Sequence, residues 1–193
     1  FRRAGEVDTG SLNLDYGFAD ITLKNYQQGR FGIRLGRVKN PLGLYNETRD
    51  VAFTTPSIVL PQGIYYDRSR SLLLSMDGGQ FYADHQIKNG NLSLKLNLGQ
   101  ALNDNDELMY AIIPYTDPIQ PKGELSPDSS KPFITAQLNY SVNEGRYIFA
   151  ISYADVDLKY EPGNYDILQE GNTEINQYIL SSQFNGEKFS LNG

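Results

Sequence analysis

Four short turns that end in glycine, each set between segments alternating apolar and polar residues, leave this chain little choice but antiparallel β-structure. They are Gln27-Gln28-Gly29, Asn89-Gly90, Glu144-Gly145 and Asn185-Gly186. Asn-Gly between alternating runs is a strong hairpin signal, because a two-residue type I′ turn needs positive φ at both positions. A slip of one residue would carry every side chain to the opposite face, so each turn commits the chain to a register. Around Glu144-Gly145, Val142 faces Tyr147, Tyr140 faces Phe149, Leu138 faces Ile151 and Ala136 faces Tyr153. Ser141, Asn139, Gln137 and Thr135 fall behind them, a clean period of two. Around Asn89-Gly90 the pairs are Ile87 with Leu92, His85 with Leu94, Ala83 with Leu96 and Phe81 with Leu98. The polar face there sets Gln86 against Ser93, Asp84 against Lys95 and Tyr82 against Asn97. The first hairpin takes a three-residue loop, Gln27 to Gly29, and pairs Leu23 with Ile33, Ile21 with Leu35 and Thr22 with Arg34. The last brings Leu180, Ser182 and Phe184 onto one face with Phe189 and Leu191.

The alternation changes phase twice, at Gly78-Gly79 and near Ala154-Asp155. Leu72, Leu74 and Met76 fall on even positions, whereas Phe81 and Ala83 fall on odd ones, and a β-bulge at the glycine pair would reconcile them. Between hairpins the connections are long, about 38–71, 103–131 and 161–173, and connections of that length are commonly functional. The chain therefore reads as all-β, a single domain over 1–193. Its expected architecture is an antiparallel up-and-down meander of about eight strands, trim at one end and elaborate at the other.

Composition removes several function classes. There is no cysteine, hence no disulfide framework, thiolate metal site or cysteine nucleophile. No run approaches the ~18 apolar residues of a membrane-spanning helix. The net charge of −6 argues against general nucleic-acid binding, which needs a basic surface. That charge is uneven. Arg30 to Arg70 holds seven Lys/Arg and three acids, +4, leaving −10 elsewhere to sum to −6. Neither Phe1-Arg2-Arg3-Ala4-Gly5 nor Phe189-Ser190-Leu191-Asn192-Gly193 reads as a natural end, so a fragment of a longer protein is expected.

Period-two alternation fits two environments. In a soluble sandwich the apolar face is core, whereas in an outer-membrane barrel it meets lipid and the polar face lines the lumen. Strands of about 9–11 residues suit a tilted bilayer crossing. Tight turns opposite long loops, and aromatic residues near the strand ends (Phe31, Tyr140, Tyr147, Tyr153, Phe184, Phe189), suit the barrel too. A soluble β-sandwich binding module for a carbohydrate or protein partner, or an adhesion protein with acidic loops, tolerates the same pattern.

The stretch Gly36-Arg37-Val38-Lys39-Asn40-Pro41-Leu42-Gly43-Leu44-Tyr45-Asn46-Glu47-Thr48-Arg49-Asp50, with Leu60-Pro61-Gln62-Gly63-Ile64-Tyr65-Tyr66-Asp67-Arg68 and Asp77-Gly78-Gly79-Gln80-Phe81-Tyr82, resembles the porin-like outer-membrane β-barrel proteins of Gram-negative bacteria. It is more loosely similar to the phosphate-selective porin group. The resemblance implies a transmembrane β-barrel with more strands than this chain supplies and a location in the bacterial outer membrane. It also implies passive diffusion of small polar, in part anionic, solutes. Lipid and solute would be the partners; a homo-oligomer is compatible, and no catalysis or cofactor is implied.

Candidate site residues follow from the basic stretch: Arg34, Arg37, Lys39, Arg49, Arg68 and Arg70. A loop carrying them into the lumen would focus a positive field on a passing solute. The alternative is that these side chains pair with Glu47, Asp50 and Asp67 and merely pin the loop. His85, the only histidine, lies on an apolar face and is expected to pack rather than act as a base. The acid clusters Asp104-Asn105-Asp106-Glu107 and Asp155-Val156-Asp157 lack calcium-loop spacing. No metal site is expected.

Overall fold

In the computed structural model, which describes residues 14–49, 65, 70–102, 123–163, 169–186 and 190–193, antiparallel strands flank each predicted turn. In the last pair Asn185 lies in the strand opposite Ser190 instead of in the turn, Phe184 meets Leu191, and Phe189 lies outside the described residues. The strands are β1 (Gly17–Tyr26), β2 (Gly29–Lys39), β3 (Ser75–Ile87), β4 (Gly90–Ala101), β5 (Glu124–Pro127), β6 (Phe133–Val142), β7 (Tyr147–Glu161), β8 (Gly171–Asn185) and β9 (Ser190–Asn192). One short helix, α1 (Arg70–Leu74), leads into β3. All nine strands belong to one antiparallel sheet of order β1-β2-β3-β4-β6-β7-β8-β9, with β5 paired to the far half of β7. Among the described residues β1 and β9 do not pair with each other. Among the described residues the fold is thus an open meander of nine strands where about eight were expected.

The β6–β7 register is the one predicted, from Val142–Tyr147 through Ala136–Tyr153. Its turn carries positive φ at Asn143 (52°), Glu144 (58°) and Gly145 (85°). Two other registers differ from expectation, β3–β4 by two residues and β1–β2 by one beside the turn and two beyond a bulge. In β3–β4 Ile87 pairs with Gly90, which sets His85 opposite Leu92, Ala83 opposite Leu94 and Phe81 opposite Leu96. The turn is then Lys88-Asn89, and Asn89 and Gly90 are not among the positive-φ residues, so the type I′ geometry is not used. The expected Asp84–Lys95 pair is replaced by Asp84–Ser93 and Tyr82–Lys95. In β1–β2 the loop is Gln27-Gln28, with Tyr26 opposite Gly29 and Lys24 opposite Phe31. The register then shifts between Thr22 and Lys24, and beyond that point Ile21 meets Ile33. A bulge at Leu23 absorbs the odd residue that the three-residue loop was expected to absorb. A shift of two preserves the faces, so the facial assignment stands in β3–β4 and beyond the bulge in β1–β2, whereas beside the β1–β2 turn Lys24 moves to the side of Phe31.

No bulge occurs at Gly78-Gly79. The pairing of β3 with both neighbours runs through it without interruption. What changes there is the polarity of the faces. On one face, termed inner because residues 40–49 lie against it, β3 carries Met76, Gly78, Gln80 and Tyr82. A row of glycines, Gly36–Gly78–Gly99, crosses three strands at this level. A Cβ on Gly78 would collide with the Leu98 carbonyl and the Gly99 Cα, and Gly36 has φ +130° and room for no Cβ, which would fall 2.6 Å from the Gly17 oxygen. Toward the long-loop end of that row the inner face is apolar. Val38, Leu42, Leu72, Met76, Leu125, Phe133, Ala154, Val156, Leu158, Tyr160 and Ile179 form its buried cluster. Burial of each large aliphatic chain in such a cluster contributes about 1.5–3 kcal/mol.

Toward the tight turns the inner face is polar and the outer face is apolar. Leu35, Leu96, Leu98, Leu138, Phe149, Ile151, Tyr178 and Leu180 are all exposed there, Leu180 to 75%. On β7 both faces exchange character at Ala154-Asp155 in an unbroken register with β8. The outer side runs Tyr147, Phe149, Ile151, Tyr153 and then Asp155, Asp157, Lys159. The inner side runs Ala150, Ser152, Ala154 and then Val156, Leu158, Tyr160, and Leu158 is fully buried. The second phase change in the sequence is therefore an inversion of environment along a straight ladder. The expected long connections are shortened accordingly, since β2 extends to Lys39, β5 occupies 124–127 and β8 begins at Gly171.

Candidate functional site

Register places the polar inner residues in rows that cross the sheet. One row is Asp20–Arg34–Gln80–Asn97–Thr135–Ala154–Gln177. The next toward the turns is Thr22–Gly32–Tyr82–Lys95–Gln137–Ser152–Ile179, followed by Arg30–Asp84–Ser93–Asn139–Ala150–Ser181. Small and polar side chains alternate with outward apolar ones because consecutive strand residues point to opposite faces.

Residues 40–49 lie across the middle of these rows and bury them. Gln80, Asn97, Thr135, Gln137 and Ser152 are buried although polar, as are Asn40 and Asn46 of the segment itself. Burial of amides is tolerated when their hydrogen bonds are made, and here nearly all are. Asn97 Nδ2 donates to the Lys39 carbonyl at 3.0 Å, and Gln80 Nε2 donates to Asn97 Oδ1 at 2.9 Å. Gln137 Nε2 donates to the Gly43 carbonyl at 2.6 Å, while the Gly43 N–H donates to Ser152 Oγ at 3.1 Å. Asn46 Nδ2 ties the segment to itself and to α1 through the Asn40 and Leu73 carbonyls. The Tyr45 hydroxyl reaches Gln183 of β8 at 2.9 Å, and the Tyr45 N–H donates to the Tyr65 hydroxyl at 2.9 Å. Burial pushes both the Tyr45 and Tyr65 phenols above the usual tyrosine range. Lys95 of β4 pairs with the Glu47 carboxylate. The segment is thus held by β4, β6, β7 and β8 together. Thr135 Oγ1 is the exception, buried without a protein partner.

Arg34, Arg37, Lys39 and Arg49, the candidate residues whose side chains are described, do not form one basic cluster. Arg34 is on the inner face, where Nε donates to Asp20 at 2.9 Å and Nη1 to Gln80 at 2.8 Å. Its guanidinium lies 5.0 Å from the Phe18 ring centre and 4.8 Å from that of Tyr82. Arg37, three residues on, is on the outer face in a two-pronged pair with Asp77 at 2.8 and 2.9 Å. An odd separation along a strand forces that split. Lys39 donates to the Glu47 carbonyl and lies 4.4 Å from the centre of the Tyr16 ring. Arg49 is 3.5 Å from Asn46 Oδ1. Arg70 opens α1; Arg68, with Asp50 and Asp67, lies outside the described residues. Of the expected acidic partners Glu47 does form an ion pair, with Lys95. His85 faces Tyr26, whose hydroxyl is 3.3 Å from Nδ1. Asp157 pairs with Lys131 on the outer face, and the 104–107 acids lie outside the described residues.

Asp20, Gln80, Tyr82, Gln137 and Ser152 were not singled out from the sequence. Their signal was position on the polar side of an alternating strand. No family model, curated protein or solved structure matches the chain.

Proposed function

We propose that this sheet forms part of the wall of a porin-like outer-membrane β-barrel, through which small polar solutes diffuse passively. The observation that carries the proposal is the inversion along β7 and β8. A soluble sheet keeps one face apolar for its whole length, because that face is its core. Here the apolar outer band stops at Tyr153 and Tyr178, whose tilted rings have centres 5.0 Å apart, and charged residues replace it on the same face. Such a band, bordered by aromatic residues, is what a strand crossing a bilayer requires. Between Ile134 and Val142 the apolar side of β6 rises roughly 20 Å at a tilt of ~40°, against a lipid-facing band of ~25 Å. Beyond the band the environment of each face reverses, so the inner side gathers a core and the outer side carries half-buried charges, among them Asp157 paired with Lys131.

In this proposal the inner rows line the lumen, residues 40–49 narrow it, and no reaction is catalysed. Arg34 carries Asp20 and Gln80, and Arg37 faces away, so neither supplies an uncompensated charge for anions. The soluble β-sandwich alternative needs a second sheet over the outer Leu and Tyr residues. Single cysteines placed in this stretch, which itself holds none, with any cysteine elsewhere in the full-length protein replaced by serine, test the proposal directly. Dyes on Phe149→Cys and Ile151→Cys should be quenched by lipid-borne quenchers, while those on Asp157→Cys and Lys159→Cys should not. Equal access of water to all four would refute the bilayer placement.

A further inference from the structure

The charged residues left uncovered on the inner face of β1–β3 form a compensated ladder rather than a basic patch. Arg30 and Arg34 stand on β2, and each is matched by a carboxylate on a flanking strand. Arg30 Nε pairs with Asp84 at 3.1 Å and Arg34 Nε with Asp20 at 2.9 Å. Tyr82 lies between the two pairs. Its hydroxyl donates to Asp20 Oδ1 at 2.7 Å, and its ring centre is 5.7 Å from the Arg30 guanidinium and 4.8 Å from that of Arg34.

The two pairs are exposed in opposite senses. In the first the cation is open, with the Arg30 side chain 54% exposed against 28% for Asp84. In the second the anion is open, with the Asp20 side chain 39% exposed against 22% for Arg34. Arg30 uses only Nε for hydrogen bonding among the described residues, which leaves both terminal amino groups as donors. Asp20 accepts one bond on each oxygen, and a carboxylate oxygen can accept a second. An accessible donor cation and an accessible acceptor anion therefore flank one aromatic ring.

We propose that this ladder is a binding step for zwitterionic solutes, small molecules carrying a carboxylate and an ammonium group together. The carboxylate goes to the Arg30 amino groups, the ammonium to Asp20, and the intervening carbon chain lies on Tyr82. A simple anion gains Arg30 and is repelled by Asp20, and a simple cation meets the reverse, so neither profits from a wall whose local charges cancel. A dipolar solute gains at both ends. Residues 40–49 cover the sheet only as far as Gln80 of β3, and the Arg30 and Asp20 side chains beyond it stay 54% and 39% exposed.

The inference rests on the channel proposal, and one experiment separates the two. Liposomes containing the full-length protein are swollen in 5-aminopentanoate, whose charges are separated by a four-carbon chain, and in 5-hydroxypentanamide, its uncharged isomer. The zwitterion should enter about fivefold faster than the amide, the scale of two exposed ionic contacts. The ratio should fall to about one in Arg30→Gln and in Asp20→Asn, and persist in Arg30→Lys, which also controls for loss of folding. Equal entry of both solutes into wild-type vesicles would overturn the zwitterion site and leave the channel standing. No entry of either would overturn the channel. A strong anion preference in a salt-gradient reversal potential would also overturn the compensated ladder.

Discussion

Lys95, on the inner side of β4, pairs with the carboxylate of Glu47, forty-eight residues away in the segment that crosses the sheet. Both side chains are about three-quarters shielded, so the pair is worth more than an open surface bridge. Glu47→Gln and Lys95→Met should each loosen the segment, and the double variant should lose less than the sum. A coupling of about 1 kcal/mol is expected. Amide exchange at Gly43 and Tyr45 reads it out. Strictly additive effects would mean that the pair does not hold the segment.

Neighbouring residues of β8 should respond oppositely to charge. Leu180 is outward and Ser181 inward. In phospholipid vesicles Leu180→Arg should cost about 2–4 kcal/mol of folding free energy, whereas Ser181→Arg should be tolerated. Reversible denaturation in lipid measures both. Equal tolerance would remove the bilayer from the outer face.

The adjacent glycines of β3 should also separate. Gly78→Ala drives a Cβ into the Leu98 carbonyl and the Gly99 backbone, which cannot yield without opening the β3–β4 ladder. A loss of at least about 2 kcal/mol is expected. Gly79→Ala meets only the end of the Leu35 side chain, at 3.3 Å, and should be close to neutral. If Gly78→Ala is equally neutral, the glycine row has no steric basis.

Burial holds the Tyr65 phenol above the ordinary tyrosine range near ~10. A raised folded-state value means that the full contribution of the neutral group is present below the unfolded value. It is lost as pH climbs through the folded one. Absorbance at alkaline pH should show a late-ionising tyrosine that disappears in Tyr65→Phe, and the segment should loosen as it titrates. Ionisation of Tyr65 together with the exposed tyrosines would contradict its burial under the segment.

Strand identity and facial polarity were legible because period two needs only nearest neighbours. The register of β6–β7 was legible too, since one pairing satisfied both faces. The β1–β2 and β3–β4 registers were not. Any even shift satisfies the alternation equally well, and the choice rested on Leu23 bulging out and on Gly90 entering the strand. Arg37 was grouped with Arg34 by counting charge along the sequence, although three steps along a strand already separates their faces.

The sequence by itself determined that this chain is an antiparallel meander whose strands alternate apolar and polar residues. Those properties follow from local spacing and turn chemistry. Only the tertiary structure decided that residues 40–49 lie over Gln80, Asn97, Gln137 and Ser152, and that Glu47 meets Lys95. It also decided that the phase changes at Gly78-Gly79 and Ala154-Asp155 are inversions of environment. Hydrogen bonds between residues about a hundred positions apart leave no periodicity in the sequence. An inversion and a bulge leave the same one.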